Sequence, residues 1–84
     1  MEITMPSKDY LFLRQYMPTL SRYVRAIVYQ REKVVITIAD SSLNDFLLDY
    51  RSSYIRYGIT GENINPVGQR LNVIYRDCIM PLLA

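Results

Sequence analysis

Histidine is absent from this chain, and cysteine occurs once, at Cys78. These two scarcities remove much ordinary chemistry. Histidine-based acid–base catalysis is excluded, as are Ser-His-Asp and Cys-His nucleophile pairs. A structural zinc site needs about four Cys or His ligands and finds one. No intramolecular disulfide can form, and a lone thiol fits a reducing compartment. Lysine occurs only at Lys8 and Lys33, and the serine beside Lys8, Ser7, reads as a helix cap. Long apolar runs are missing too. Val34 to Ala39 and Cys78 to Ala84 fall far short of the ~18 residues a membrane helix needs, so no membrane partner is expected. The N-terminal residues lack the basic start and apolar run of a signal peptide, which points to the cytoplasm.

What is present is the composition of a folding chain: 84 residues, 50% hydrophobic, with eight tyrosines. That length is one domain, 1–84. A domain this short buries only about 60% of the surface its unfolded chain exposes. One such core supplies roughly 3–5 kcal/mol. With disulfides and zinc removed, self-association is the remaining aid, so a homo-oligomer is expected. The net charge of +2 is too small to announce a nucleic-acid partner.

Proline and periodicity divide the chain. Pro6-Ser7 reads as a helix start, with Ser7 as cap and Asp9 in the first turn. Tyr10, Leu13 and Met17 follow at helical spacing, and Pro18 should end or kink that helix. Residues 23–29 and 33–39 are rich in β-branched and aromatic side chains, and Gln30-Arg31-Glu32 separates them. They predict an antiparallel hairpin. The rival is a long kinked helix, because Leu20, Val24 and Ile27 continue the 3–4 spacing through Pro18. In that case only the second strand survives, pairing with Glu2 to Met5. Ser42 and Asp45 form a capping box ahead of Leu43, Phe46, Leu47, Tyr50 and Tyr54. Leu48 and Ile55 widen that apolar stripe beyond what one neighbour needs. Gly58 reads as a left-handed helix stop, and Thr60 to Asn63 as loop. Asn65-Pro66 starts the last helix, whose stripe is Val67, Leu71, Ile74, Tyr75 and Cys78 and which Pro81 stops. The expected fold is therefore α+β, a small single domain of order α-β-β-α-α with a β-hairpin packed against helices. The alternative is a mostly α chain with a kinked first helix.

No catalytic, cofactor or metal site is expected, and the chain is read as a non-enzyme. Cys78 falls on an apolar stripe and reads as a small buried hydrophobe. Asp45 and Asp49 share a helix face, but the first completes a cap and the second reads as solvated. Gly58-Ile59-Thr60-Gly61 is a G-x-x-G between two helices, which resembles the backbone-clamping loop of KH domains. It holds no basic residue, and the helix stop and turn explain the same glycines. The last two helices could also suggest a helix-turn-helix, with a connection long for that motif. A small nucleic-acid-binding domain is thus the alternative function, and it is not favoured.

The unusual feature is arginine set among tyrosines. Eight of the ten basic residues are arginine, and they alternate with tyrosine around residues 22–25 and 50–57. Arginine offers a planar fork of donors and stacks on aromatic faces; tyrosine offers a rigid apolar body with a polar tip. Both are enriched at protein interfaces, where lysine is depleted. The expected role is a small interaction module that self-associates and binds a protein partner. Arg51, Tyr54, Arg56 and Tyr57 form the expected surface, with Arg22 and Arg25 as a second patch.

Overall fold

A computed structural model of the chain describes residues 1–83. Its elements are β1 (Glu2–Pro6), α1 (Ser7–Tyr16), β2 (Val24–Gln30), β3 (Lys33–Ile38), α2 (Leu43–Tyr57), β4 (Ile59–Thr60), β5 (Asn63–Ile64) and α3 (Pro66–Ile74). Short 3₁₀ turns cover Leu20–Arg22, Asp40–Ser42 and Met80–Leu82, and a π-helical turn covers Tyr75–Ile79. The α+β class, the hairpin and the three helices stand where the periodicity puts them.

The order gains a strand at its front. β1 pairs antiparallel with β3, giving a sheet of order β1-β3-β2, and β4 with β5 makes a second, two-stranded ribbon. The pairing of Glu2 to Met5 with the second hairpin strand, attached above to the kinked-helix alternative, therefore occurs alongside an intact hairpin. The kinked helix itself does not form. Met17 N–H bonds to Leu13 O at 2.7 Å, and Pro18 next to it has no N–H with which to continue. The chain turns through Leu20–Arg22 and enters β2 instead. Leu20, which sat on the helical spacing, is buried all the same.

Alternation decides which side of the sheet is inside. Ile3 and Met5 on β1 and Val34, Ile36 and Ile38 on β3 are buried, while Glu2, Thr4 and Lys33 are exposed. The register sets Ile3 beside Ile36 and Met5 beside Val34, so the inward residues form one continuous face. Tyr10 and Leu13 of α1, Phe46 and Tyr50 of α2, Leu71 and Ile74 of α3, and Ile79 close over it. Among the described residues, no buried side-chain N or O lacks a hydrogen-bond partner.

Several local readings are corrected. Ser7 is the first helical residue and makes no side-chain cap; Pro6 precedes it with ψ 145. The Ser7 N–H is satisfied by Glu32 O at 2.7 Å, so the hairpin turn caps α1. Ser42 makes no cap either, because φ −100 and ψ −4 put it in the helical region, away from the extended geometry a cap uses. Asn65 does cap α3: its side chain accepts from Gly68 N at 2.9 Å, and Pro66 takes the first helical position. Pro81 does not stop α3 directly. The helix loosens first, with Met80 N–H reaching back five residues to Tyr75 O, and Pro81 then opens the terminal 3₁₀ turn.

Gly58 is not left-handed, having φ −94 and ψ −8. Glycine is required there for a different reason. A Cβ at Gly58 would lie 2.7 Å from Gly68 Cα, and one at Gly68 would lie 2.2 Å from Gly58 O. The end of α2 and the start of α3 thus cross backbone against backbone. Residues 60–63 are not plain loop, since the chain makes the β4–β5 ribbon around Gly61, whose φ is +64.

Candidate interaction surface

Helix α2 positions the surface. Its spacing sends Phe46, Tyr50 and Ser53 inward and leaves Leu48, Arg51 and Ile55 outside. Leu48 is 63% exposed and Ile55 55%, so the widened stripe read from the sequence does reach solvent. Beside it, α3 and the turn after it stop short of covering α2. A groove of about 560 Å³ remains, lined by Leu47, Leu48, Tyr50, Arg51 and Tyr54 of α2 and by Tyr75. Asn44 of α2 and Asn72 of α3 line it as well.

Packed aromatic rings form the floor of the groove. Tyr50 and Tyr75 rings lie 5.8 Å apart, and Tyr50 meets Phe46 edge-on at 6.1 Å. The Tyr50 hydroxyl donates to Leu71 O at 2.7 Å. Burial pushes its phenol pKa far above the ordinary value, and the neighbouring Cys78, Asp9 and Tyr75 add to that. Cys78 is free and half-buried, and burial raises its thiol pKa as well, which disfavours the reactive thiolate.

The groove's electrostatics are simple. Arg51 is its one charged lining residue. Among the described residues the ion pairs are Arg70 with Asp9, Arg76 with Asp77, and the N-terminus with Asp40; Arg51 enters none. Its guanidinium stands free at the edge of an apolar trough.

The six residues expected at an interface fall in three places. Arg51 and Tyr54 line the groove together. Arg56 and Tyr57 lie elsewhere on α2: Arg56 stacks over the Tyr57 ring at 5.4 Å, and Tyr57 packs edge-on to Tyr16 of α1 at 5.9 Å. Arg22 and Arg25 are exposed near the start of β2. Sequence spacing missed Leu47 and Tyr75 as groove residues, because both belong to stripes that read as core. The i, i+3, i+4 positions of α2 named the helix face and could not show that α3 leaves it uncovered.

Asp49, read above as solvated, is engaged. It accepts from Thr19 Oγ1 at 3.0 Å and from the Tyr23 hydroxyl, tying the segment before β2 to α2. That bond is the main reason the Tyr23 phenol pKa is raised, with burial and the Asp49 charge adding to it. The G-x-x-G glycines are likewise accounted for by the Gly58–Gly68 crossing and the Gly61 turn. No protein-family model, curated protein or solved structure matches the chain.

Proposed function

We propose that the protein is a small cytoplasmic interaction module that self-associates and receives an amphipathic helix of a partner protein in the α2 groove. The observation that carries this reading is the meeting of exposed Leu48 with Leu47, Tyr54 and Tyr75 around one unpaired arginine. Apolar grooves of this kind take helices through anchors at i, i+3 or i+4, and i+7. Tyrosine and arginine at the rim are the residue types that most often carry binding energy. An unpaired Arg51 calls for a carboxylate on the incoming helix, which fixes its register more than its affinity.

The test is selection from a display library of amphipathic helical peptides against the wild-type protein, with counter-selection on Leu48→Asp. Leu48 lies mostly in solvent, so that variant keeps the fold. Enriched peptides should share the apolar spacing and one acidic residue. They should bind Leu48→Asp at least about 10-fold more weakly, a loss of about 1.4 kcal/mol. Arg51→Glu should weaken them, and a peptide with its acid changed to lysine should recover binding to that variant. A library that yields nothing able to tell wild type from Leu48→Asp sinks the reading. Binding of a single-stranded oligonucleotide that falls steeply with salt would replace it with the nucleic-acid alternative.

A further inference from the structure

β2 is an edge strand and is paired on one side only, with β3. It runs seven residues without proline or lysine. The other edge, β1, ends in Pro6, and the Tyr75–Ile79 turn packs against it. On β2 a register shift at Arg25 interrupts the start of the strand, but Ala26–Gln30 beyond it pairs regularly with β3 and carries neither charge nor proline. Its burial pattern is exposed at five of seven positions, with Tyr29 64% and Val28 51% in solvent. Ile27 and Tyr29 sit opposite Ile36 and Val34 on the inner side of the sheet, yet the core that buries Ile36 and Val34 covers Ile27 only in part and leaves Tyr29 open. An apolar edge with unused backbone donors and acceptors is a template for another strand.

We propose that β2 pairs antiparallel with β2 of a second copy, joining the two sheets into one of six strands about a two-fold axis at Ile27. The strand's own side chains select the occupant and the register. With the axis at Ile27, Ala26 faces Val28 of the second copy, and Arg25 faces its Tyr29, where a guanidinium can lie on the ring. Moving the axis one residue to Val28 carries Arg25 past Gln30, off the end of the second strand and away from Tyr29. Of these two alignments, only the one centred on Ile27 gives Arg25 a facing partner on the second strand. A two-fold contact of this type uses the same patch on both copies. It is small, and small interfaces are weak, so the dimer forms at roughly micromolar concentrations and above.

This inference deepens the self-association half of the proposed function and is independent of the groove. Sedimentation from about 1 to 300 µM tests it, on a range suited to a weak interface. The weight-average mass should climb from the 9.9 kDa monomer towards twice that value. Val28→Lys with Tyr29→Lys adds the charges that blunt edge strands; it should hold the protein at 9.9 kDa while leaving circular dichroism unchanged. Leu48→Asp should dimerise like wild type, which separates failure of this contact from failure of the groove. In a Cys78→Ser background, Ile27→Cys should oxidise to a covalent dimer and Thr4→Cys on β1 should not. A monomer throughout, or a dimer indifferent to the two lysines, overturns the proposal. If the lysine variant loses its fold, the cysteine pair decides alone: no preferential cross-link at position 27 rejects the two-fold axis.

Discussion

β2 and β3 are written with similar residues and meet opposite fates. Val24-Arg25-Ala26-Ile27-Val28-Tyr29-Gln30 and Lys33-Val34-Val35-Ile36-Thr37-Ile38 are joined by a two-residue turn and pair antiparallel, with one register shift at Arg25. β3 is central, and Val34, Ile36 and Ile38 have no exposure. β2 is an edge and no residue in it is fully buried. A strand's alternation therefore specifies which side of the sheet a residue takes, but not whether anything covers that side. The cover comes from α1, α2, α3 and Ile79, and where their side chains end, equally apolar residues become surface. The same division recurs on α2, where Phe46 is buried and Leu48, two positions on, is mostly exposed.

The closed half depends on helices placed close together, and the Gly58–Gly68 crossing sets how close α2 and α3 come. The largest effect is expected there. Gly68→Ala puts a methyl into Gly58 backbone, which no rotamer change can relieve, so α3 must move off α2. The cost should be on the order of 3 kcal/mol or more, comparable to the whole stability of a domain this small. Urea denaturation should find the variant largely unfolded at 25 °C. A Gly68→Ala protein with the wild-type midpoint would show that the two helices do not need this contact.

This crossing also marks where sequence reasoning stops. Gly58 was legible as a helix terminus, since apolar spacing ends there and turn residues follow. Its partner ten residues on was not, because close approach of two backbones leaves no periodic signal. Asn65-Pro66 was read correctly because capping is local: the cap and the N–H it satisfies are three residues apart. Ser42 is no cap because a 3₁₀ turn, its N–H bonded to Ala39 O, holds it in helical geometry; Ser7 is none because its rival is not local. The turn residue Glu32, 25 positions away, satisfies Ser7 N–H. β1 was legible only within the kinked-helix alternative, since a strand of five residues running straight into a helix has no turn to announce it. The candidate surface was legible as a residue type and a helix face. Its three-way division among α2's groove, α1's flank and the β2 edge needed the tertiary arrangement.

A matched pair of truncations sharpens the contrast between the two hairpin strands. Ile36→Ala removes a side chain with no exposure and leaves a cavity under three helices, costing about 3 kcal/mol. Val28→Ala removes one from an open face and should cost no more than about 1 kcal/mol, the span of strand propensity. Measured at micromolar or lower concentration, where the β2 contact is dissociated, chemical denaturation should keep the two values well apart. Equal losses would mean that β2 is covered in the monomer, and the exposure on which its pairing rests would be gone.

The smallest effects concern two tyrosines, one in each half. Both phenols are held protonated by the fold, Tyr50 by burial and Tyr23 by the hydrogen bond to Asp49. A pKa raised in the folded state means that the folded protein binds more protons than the unfolded chain once pH passes about 10, the ordinary phenol value. Stability contributed this way is fully present below that value and declines as pH rises through it. Wild type should therefore lose stability steadily between about pH 10 and 12, the range in which unfolded tyrosines ionise. Tyr50→Phe should cost about 1 kcal/mol at neutral pH for the lost bond to Leu71 O, a modest figure because that carbonyl also accepts from Tyr75 N–H. The same variant should flatten the alkaline decline visibly. Tyr23→Phe should do less on both counts, since its hydroxyl lies where water can replace it and Asp49 keeps Thr19. Denaturation midpoints of the two variants at pH 7 and 11 give the ranking directly. Should Tyr23→Phe flatten the alkaline slope more than Tyr50→Phe, the latch between the pre-β2 segment and α2 would be the more enclosed of the two. The boundary between closed and open halves would then lie beyond Tyr23, on β2 itself.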